Sequence, residues 1–107
     1  MKRVKRRYLA LQLDSERVLS RRELLDAVWG AVTRLFGEYS ASLTGLALID
    51  YDEERKTAVL RTSLETLSSV RASLATITSV AGSEAAVHVM AVSGTIKALH
   101  KRTLKRP

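Results

Sequence analysis

The chain has no cysteine, which excludes a disulfide framework and a thiolate metal site and leaves nothing to argue for an oxidising compartment. It has no asparagine and a single glutamine, Gln12, a shortage of thermolabile residues that fits a thermophilic source. No apolar stretch approaches the length that spans a bilayer, and the charged N-terminus is not followed by an apolar signal segment. A cytoplasmic location without membrane association is the expectation. At 107 residues there is room for one domain, residues 1–107, with one modest core.

Charge is plentiful but unevenly placed. The net charge is +7, and residues 1–7 hold Lys2, Arg3, Lys5, Arg6 and Arg7 while residues 97–106 hold Lys97, Lys101, Arg102, Lys105 and Arg106. Neither segment contains an acid, and the stretch between them carries eight basic residues against eleven acidic ones. The whole basic excess therefore belongs to the two ends, with residues 1–6 and 103–107 expected to be flexible. Such blocks are either solvated tails or arms for a nucleic acid, and composition alone does not separate the two.

The pattern of apolar residues supplies the elements. In "RYLALQLD", Leu9, Leu11 and Leu13 alternate with Tyr8, Ala10 and Gln12, the period of a strand. In "SRRE", Ser20 and Glu23 have the spacing of a capping box, so a helix starts there. Leu24, Val28, Ala31 and Leu35 form one stripe of it, Leu25, Trp29, Val32 and Phe36 the next, and Gly37 offers a stop. Two apolar runs, Leu46 to Tyr51 and Thr57 to Thr62, flank a charged "DEER" link and read as a hairpin. Ser63 is the expected cap of a second helix carrying Leu67, Val70, Leu74 and Ile77, which Gly82 ends. "AAVHVMAV" is a last strand with Val87, Val89 and Ala91 opposite His88, Met90 and Val92, and a short terminal helix follows. The order strand, helix, strand, strand, helix, strand predicts an α/β (α+β) ferredoxin-like βαββαβ sandwich. It has a four-stranded antiparallel sheet, two helices on one face and a short C-terminal helix.

That topology gives the basic ends a place. With sheet order 4-1-3-2 the start of the first strand lies beside the end of the last, so both segments converge on one end of the sheet, and Arg61 near the end of the third strand points to the same edge. Charges remote in sequence and adjacent in space suit a phosphate-binding surface. If Ser93 caps the terminal helix, the N–H groups of Gly94, Thr95 and Ile96 face outward at the positive end of its dipole, with Lys97 as counter-charge. The same three residues also serve as an ordinary cap and turn, the commoner use of such a triplet.

Other clusters carry less. Asp50, Asp52, Glu53 and Glu54 lack the spacing of a calcium loop and suit a solvated turn. His88 and His100 lie in different elements without an acid or nucleophile beside them, and Ser63, Ser68, Ser69 and Ser73 suit a small polar face or a close interface. An RNA-recognition motif of this topology carries aromatic rings on its third strand, whereas "KTAVLRTS" has none, so base stacking on the sheet is not expected. The sheet face away from the helices carries Ala, Ile, Leu, Met and Val side chains, too large a patch to leave in water. The terminal helix and a protein partner are expected to cover it.

The succession "RYLALQL", "ELLDAVWGAVTRLFGEYSASLTGLALIDYDEERKTAVLRTS", "VRASLATI" and "AVSGTIKALHKR" resembles the archaeal ribonuclease P protein component 2 family over nearly the whole chain, with "LFGEY", the "GLALIDYDEE...AVLR" hairpin and "VSGTIK" the most specific pieces. The resemblance implies a non-catalytic protein subunit of ribonuclease P, the ribonucleoprotein that removes the 5′ leader of precursor tRNA. It implies that an RNA with bound magnesium ions does the chemistry, that the protein itself binds no cofactor, and that ribonuclease P protein component 3 is its partner. On that reading Arg3, Lys5, Arg6, Arg7, Arg61, Lys97, Lys101 and Arg102 meet phosphates of ribonuclease P RNA, while Ser93, Gly94 and Thr95 give backbone contacts. Precursor tRNA is met through the holoenzyme, and an isolated chain with a bare apolar face is expected to self-associate. The alternative is a general structured-RNA-binding or ribosome-associated module of the same fold. An acylphosphatase is disfavoured because the link after the first strand, "DSERVLSRRE", lacks the glycine-rich phosphate loop such an enzyme needs.

Overall fold

The computed structural model describes residues 5–104, with side chains described as far as Lys101. Its elements are β1 (Arg6–Ser15), α1 (Arg21–Ser42), β2 (Ala47–Asp52), β3 (Thr57–Ser63), α2 (Leu67–Ala75), β4 (Ser79–Val80), β5 (Ser83–Ser93) and α3 (Ile96–Leu104). The sheet order is β2-β3-β1-β5-β4 with every pair antiparallel, which is the ferredoxin-like arrangement plus one short edge strand. No helix among the described residues is long and apolar enough to cross a membrane.

Two apolar layers hold the sheet. Leu9, Leu11 and Leu13 of β1 face α1 and α2 and are buried with Leu24, Val28, Ala31 and Val32 of α1 and Val70 and Leu74 of α2. Each of these leucines and valines contributes about 1.5–3 kcal/mol by leaving water. On the second face a smaller cluster of Ala10, Val59 and Leu99 is flanked by Tyr8, Ile49 and Ala91. Leu99 comes from α3 and is only 1% exposed, so the terminal helix does cover the middle of this face. Met90 and His88 remain exposed beside it.

The start of α1 follows its sequence signal. Ser20 Oγ accepts the Glu23 N–H at 3.1 Å while the Glu23 carboxylate accepts the Ser20 N–H at 2.9 Å, and Arg17 pairs with the same carboxylate at 3.0 Å. Its end does not. Gly37 takes φ 85° and ψ 163°, a conformation closed to other residues, yet the helix resumes and runs to Ser42. Burial of Ala41 and a 2.7 Å bond from the Ser63 N–H to the Thr44 carbonyl draw that last turn back onto the sheet. Leu35 and Phe36, expected on the buried stripes, stand exposed just before the break.

The second helix is shorter than its pattern. Ser63 belongs to β3, paired with Arg6, and its hydroxyl bonds the Thr66 hydroxyl at 2.6 Å, so the strand ladder takes the residue expected to cap α2. Thr66 holds the cap position without a side-chain bond. The helix stops at Ala75, and Ile77 is buried in the link to β4, its N–H donating to the Leu74 carbonyl at 3.2 Å, where β-branched Thr76, Ile77, Thr78 and Val80 favour strand geometry. Gly82 ends no helix. With Ala81 it forms a two-residue turn, both at positive φ (51° and 81°), that joins β4 to β5.

Two bulges alter the expected faces. Ala10 pairs with Ala91 but Leu11 pairs with Val89, which leaves Met90 as the extra residue. Val87 and Val89 therefore face the helices as expected, but beyond the bulge Val92 takes that side and Ala91 joins the second face. In β2, Leu48 pairs with Leu60 and Asp50 with Val59, so Ile49 is extra and turns toward Leu99 while Leu48 and Tyr51 keep to the helices.

Candidate nucleic-acid interface

The register brings three strand ends together. Tyr8 pairs with Arg61 on one side and with Ser93 on the other, and Arg6 and Arg7 pair with Ser63 and Thr62. The Leu64 N–H donates to the Lys5 carbonyl at 2.8 Å, so the chain is tied to the sheet from Lys5 onward. Because β3 and β5 both run against β1, α2 and α3 leave the sheet at this same end and place their N-terminal dipole ends there.

The cations differ in setting. Lys5, Arg6, Lys97 and Lys101 are exposed, the last two one turn apart on α3. Arg7 is half-buried, its Nη1 donates to the Arg6 carbonyl at 2.9 Å, and the same nitrogen stands 3.5 Å from where a side chain on Gly94 would begin. A side chain at Gly94 would thus begin in ordinary contact with the Arg7 guanidinium, which lies beside it. Arg61 is half-buried, and its Nε is shielded from water with no hydrogen-bond partner among the described residues. No acid occurs in residues 5–9, 59–63 or 91–101, and Glu65 follows in the link to α2.

The Ser93–Thr95 triplet works differently from the simplest reading of it. Thr95 is the cap of α3: its Oγ1 accepts the Ala98 N–H at 3.1 Å and its carbonyl accepts the Leu99 N–H at 3.2 Å. Ser93 is buried as the last residue of β5, and its hydroxyl accepts the Thr95 N–H at 3.4 Å. The first-turn N–H groups ahead of the helical ladder are those of Ile96 and Lys97, two residues further on than a Ser93 cap would give. Arg3 lies outside the described residues, and the side chain of Arg102 lies outside them also.

At the opposite end of the sheet the sign reverses. Asp52, Glu53 and Glu54 sit in the β2–β3 turn, and Asp14, Glu16 and Glu84 lie where β1 ends and β5 begins. The basic residues there are engaged, Arg17 with Glu23 at 3.0 Å and Arg55 with Asp52 at 4.0 Å. The hydrogen bonds from Arg17 hold the Glu23 carboxyl below its ordinary value, and burial pushes the Tyr51 phenol up. Both groups belong to this end or to the helix side. Among the described residues no group of His, Asp and Glu is arranged to hold a metal ion.

Sequence reasoning missed Tyr8. Its place on the strand face between Arg61 and Ser93 is fixed by the register, and only the alternation of β1 signalled that it stands opposite Leu9. The site thus joins a cation-rich end fed by three strands, with Glu65 as the acid of the link to α2, to a second sheet face whose middle α3 covers.

Comparison with known proteins fits this picture. Residues 7–104 match the model of the Rpp14/Pop5 family. Ribonuclease P protein component 2 of Pyrococcus furiosus is 33% identical over 104 residues, covering 97% of this chain and 87% of that protein. The protein of the same name from Methanobrevibacter smithii is 36% identical over 102 residues, covering 89% and 85%. A chain of the solved structure "Cryo-EM structure of yeast Ribonuclease MRP" superposes with a TM-score of 0.72 at 16% identity, over 89% of this chain and 78% of that one, a likeness of fold. By the span of the family match and the identity to these relatives, the chain belongs to the Rpp14/Pop5 family.

Proposed function

We propose that the chain is a protein subunit of ribonuclease P that binds the RNA of the complex and cuts no bond itself. The convergence of Lys5, Arg6, Arg7, Arg61 and Lys97 on one end of the sheet, against the single acid Glu65 of the link to α2, carries the reading, because such a surface recruits a polyphosphate. Lys101, and Arg3 and Arg102 from the chain ends, extend it. Catalysis falls to the RNA and its magnesium ions, and the protein's part is to neutralise phosphates so that the folded RNA needs fewer of those ions. The complex is cytoplasmic, and precursor tRNA is met through it.

The partner subunit is ribonuclease P protein component 3, and the surface that suits it is not the sheet. α3 occupies the middle of the sheet face, whereas Leu35, Phe36, Tyr39 and Leu43 around the Gly37 break form an exposed apolar stripe, with Tyr39 79% and Leu43 56% exposed. A stripe of that kind on a helix otherwise packed against a sheet suits a protein contact.

The test is cleavage of a precursor tRNA by ribonuclease P RNA at limiting magnesium, with component 3 present and this chain added or left out. Cutting at the mature 5′ end that depends on the chain supports the reading. Tight RNA binding without stimulation would favour a general RNA-binding module instead.

A further inference from the structure

Tyr8 is set among cations. Its cross-strand partner on the same face is Arg61, its other neighbour is Ser93 at the approach to α3, and Arg7 precedes it with its guanidinium laid against Gly94. The phenyl, phenol and indole rings of Phe36, Tyr39, Tyr51 and Trp29 belong to α1 or to the helix side of β2, so among the described residues Tyr8 is the one such ring on the second face, where His88 lies further along β5 opposite Gln12. It is half-buried: part of it packs against the Ala10–Val59–Leu99 cluster and part stays in water. A leucine would close that small core as well, and it would do so without placing a π-face beside arginines.

Arg61 supplies the second observation. Directly opposed residues of an antiparallel pair hold their Cβ atoms about 4.5–5.5 Å apart, so the guanidinium and the ring share one patch of surface. The Nε of Arg61 is out of water without an acceptor, a state that native structures rarely leave unfilled. The rest of the half-buried side chain meets solvent beside the ring, where an anionic oxygen can reach it. A ligand that places an anionic oxygen on Arg61 and a flat ring on Tyr8 is a nucleotide whose base is free to stack. A base inside a duplex presents no open face, and its phosphates alone would have no use for the tyrosine.

We propose that Tyr8 and Arg61 form a subsite for one unpaired nucleotide of RNA, the base stacked on the Tyr8 ring and the adjoining phosphate held by Arg61 with Lys97. The inference rests on the RNA-binding reading above and deepens it, by assigning to this end of the sheet a flipped-out or single-stranded residue rather than duplex backbone alone. Selectivity among the four bases is weak, since every base has a π-face.

The experiment uses the full chain, a short single-stranded oligoadenylate and a blunt RNA duplex of equal phosphate count, with Tyr8→Leu and Tyr8→Phe as variants. Tyr8→Leu should weaken single-strand binding by roughly 5- to 150-fold, while duplex binding and the salt dependence stay as they were; Tyr8→Phe should bind like the parent. In the parent, the Tyr8 ring protons should shift upfield in NMR spectra as oligoadenylate is added, a readout that needs no variant to fold. Equal single-strand binding by Tyr8→Leu, or ring protons that do not shift upfield, overturns the stacking subsite and leaves the phosphate surface standing. A parent chain that binds neither RNA overturns both.

Discussion

Arg61 stands half-buried near the end of β3 with its Nε out of water and unpaired among the described residues. Replacing it with methionine keeps the stem and deletes the unsatisfied donor, so folding stability should stay within about 1 kcal/mol of the parent or rise. RNA binding should weaken, and its log–log salt slope should fall by up to about 0.9 for the lost phosphate contact. Chemical denaturation and a binding titration over salt separate the two; a large loss of stability would make Arg61 a structural residue. Glu23 gives a second test of this scale. Arg17, then the Ser20 N–H, hold its carboxyl below the ordinary value of 4.5. A depressed folded pKa contributes stability that is present above the unfolded value and is lost as pH falls through the folded one, so part of the acid sensitivity below about pH 4.5 should vanish in Glu23→Gln, as thermal melts across pH 2–6 would record. The Ser20–Glu23 box was legible because both partners are local. The cap of α3 was not, because Ser93 and Thr95 can each accept an N–H, and the choice falls to the strand: β5 keeps Ser93 paired with Tyr8, which leaves Thr95 to begin the helix.

At the scale of elements, local periodicity and long-range contacts competed, and the long-range contacts won where α1 resumes, where α2 stops and at both bulges. Residues 67–77 have helical spacing, yet Ile77 lies in the link that feeds β4, which pairs with the start of β5. The bulges at Ile49 and Met90 have no local mark, since an extra residue is defined only by the strand opposite. Gly37 did mark an interruption of α1; what the sequence hid is that Ala41 and the Thr44–Ser63 bond pull the chain back into one more turn. The result leaves apolar side chains on the outside of that turn. Tyr39→Ser combined with Leu43→Ser should leave stability within about 0.5 kcal/mol per site, because both side chains lie in water already. Affinity for component 3 should drop by at least tenfold if the stripe is the contact, which calorimetry on the paired proteins would read. Unchanged affinity would return the contact to the exposed part of the sheet around Met90.

For the whole molecule, what matters is that the strand axis is also an axis of charge. Lys5, Arg6, Arg7, Arg61 and Lys97 gather where β1 begins, and Asp14, Glu16, Asp52, Glu53, Glu54 and Glu84 gather where it ends. Composition showed only that the chain ends are basic; the antiparallel topology turns two remote segments into one surface, and the acidic pole opposite it repels polyanions and so orients their approach. The consequence is measurable. Replacing Lys5, Arg6, Lys97 and Lys101 with alanine removes four exposed cations from one pole without touching either core. If they act together on one RNA backbone, binding should fall steeply at low salt and the log–log salt slope should flatten by up to about 0.9 per lost contact. Stability should hold or improve, since clustered like charges repel in the free protein. Four charges removed from Arg17, Arg21, Arg22 and Arg55, which lie toward the acidic pole, should alter net charge equally and the slope far less. Equal slopes for the two quadruple variants would mean that net charge alone, and no built surface, attracts the RNA.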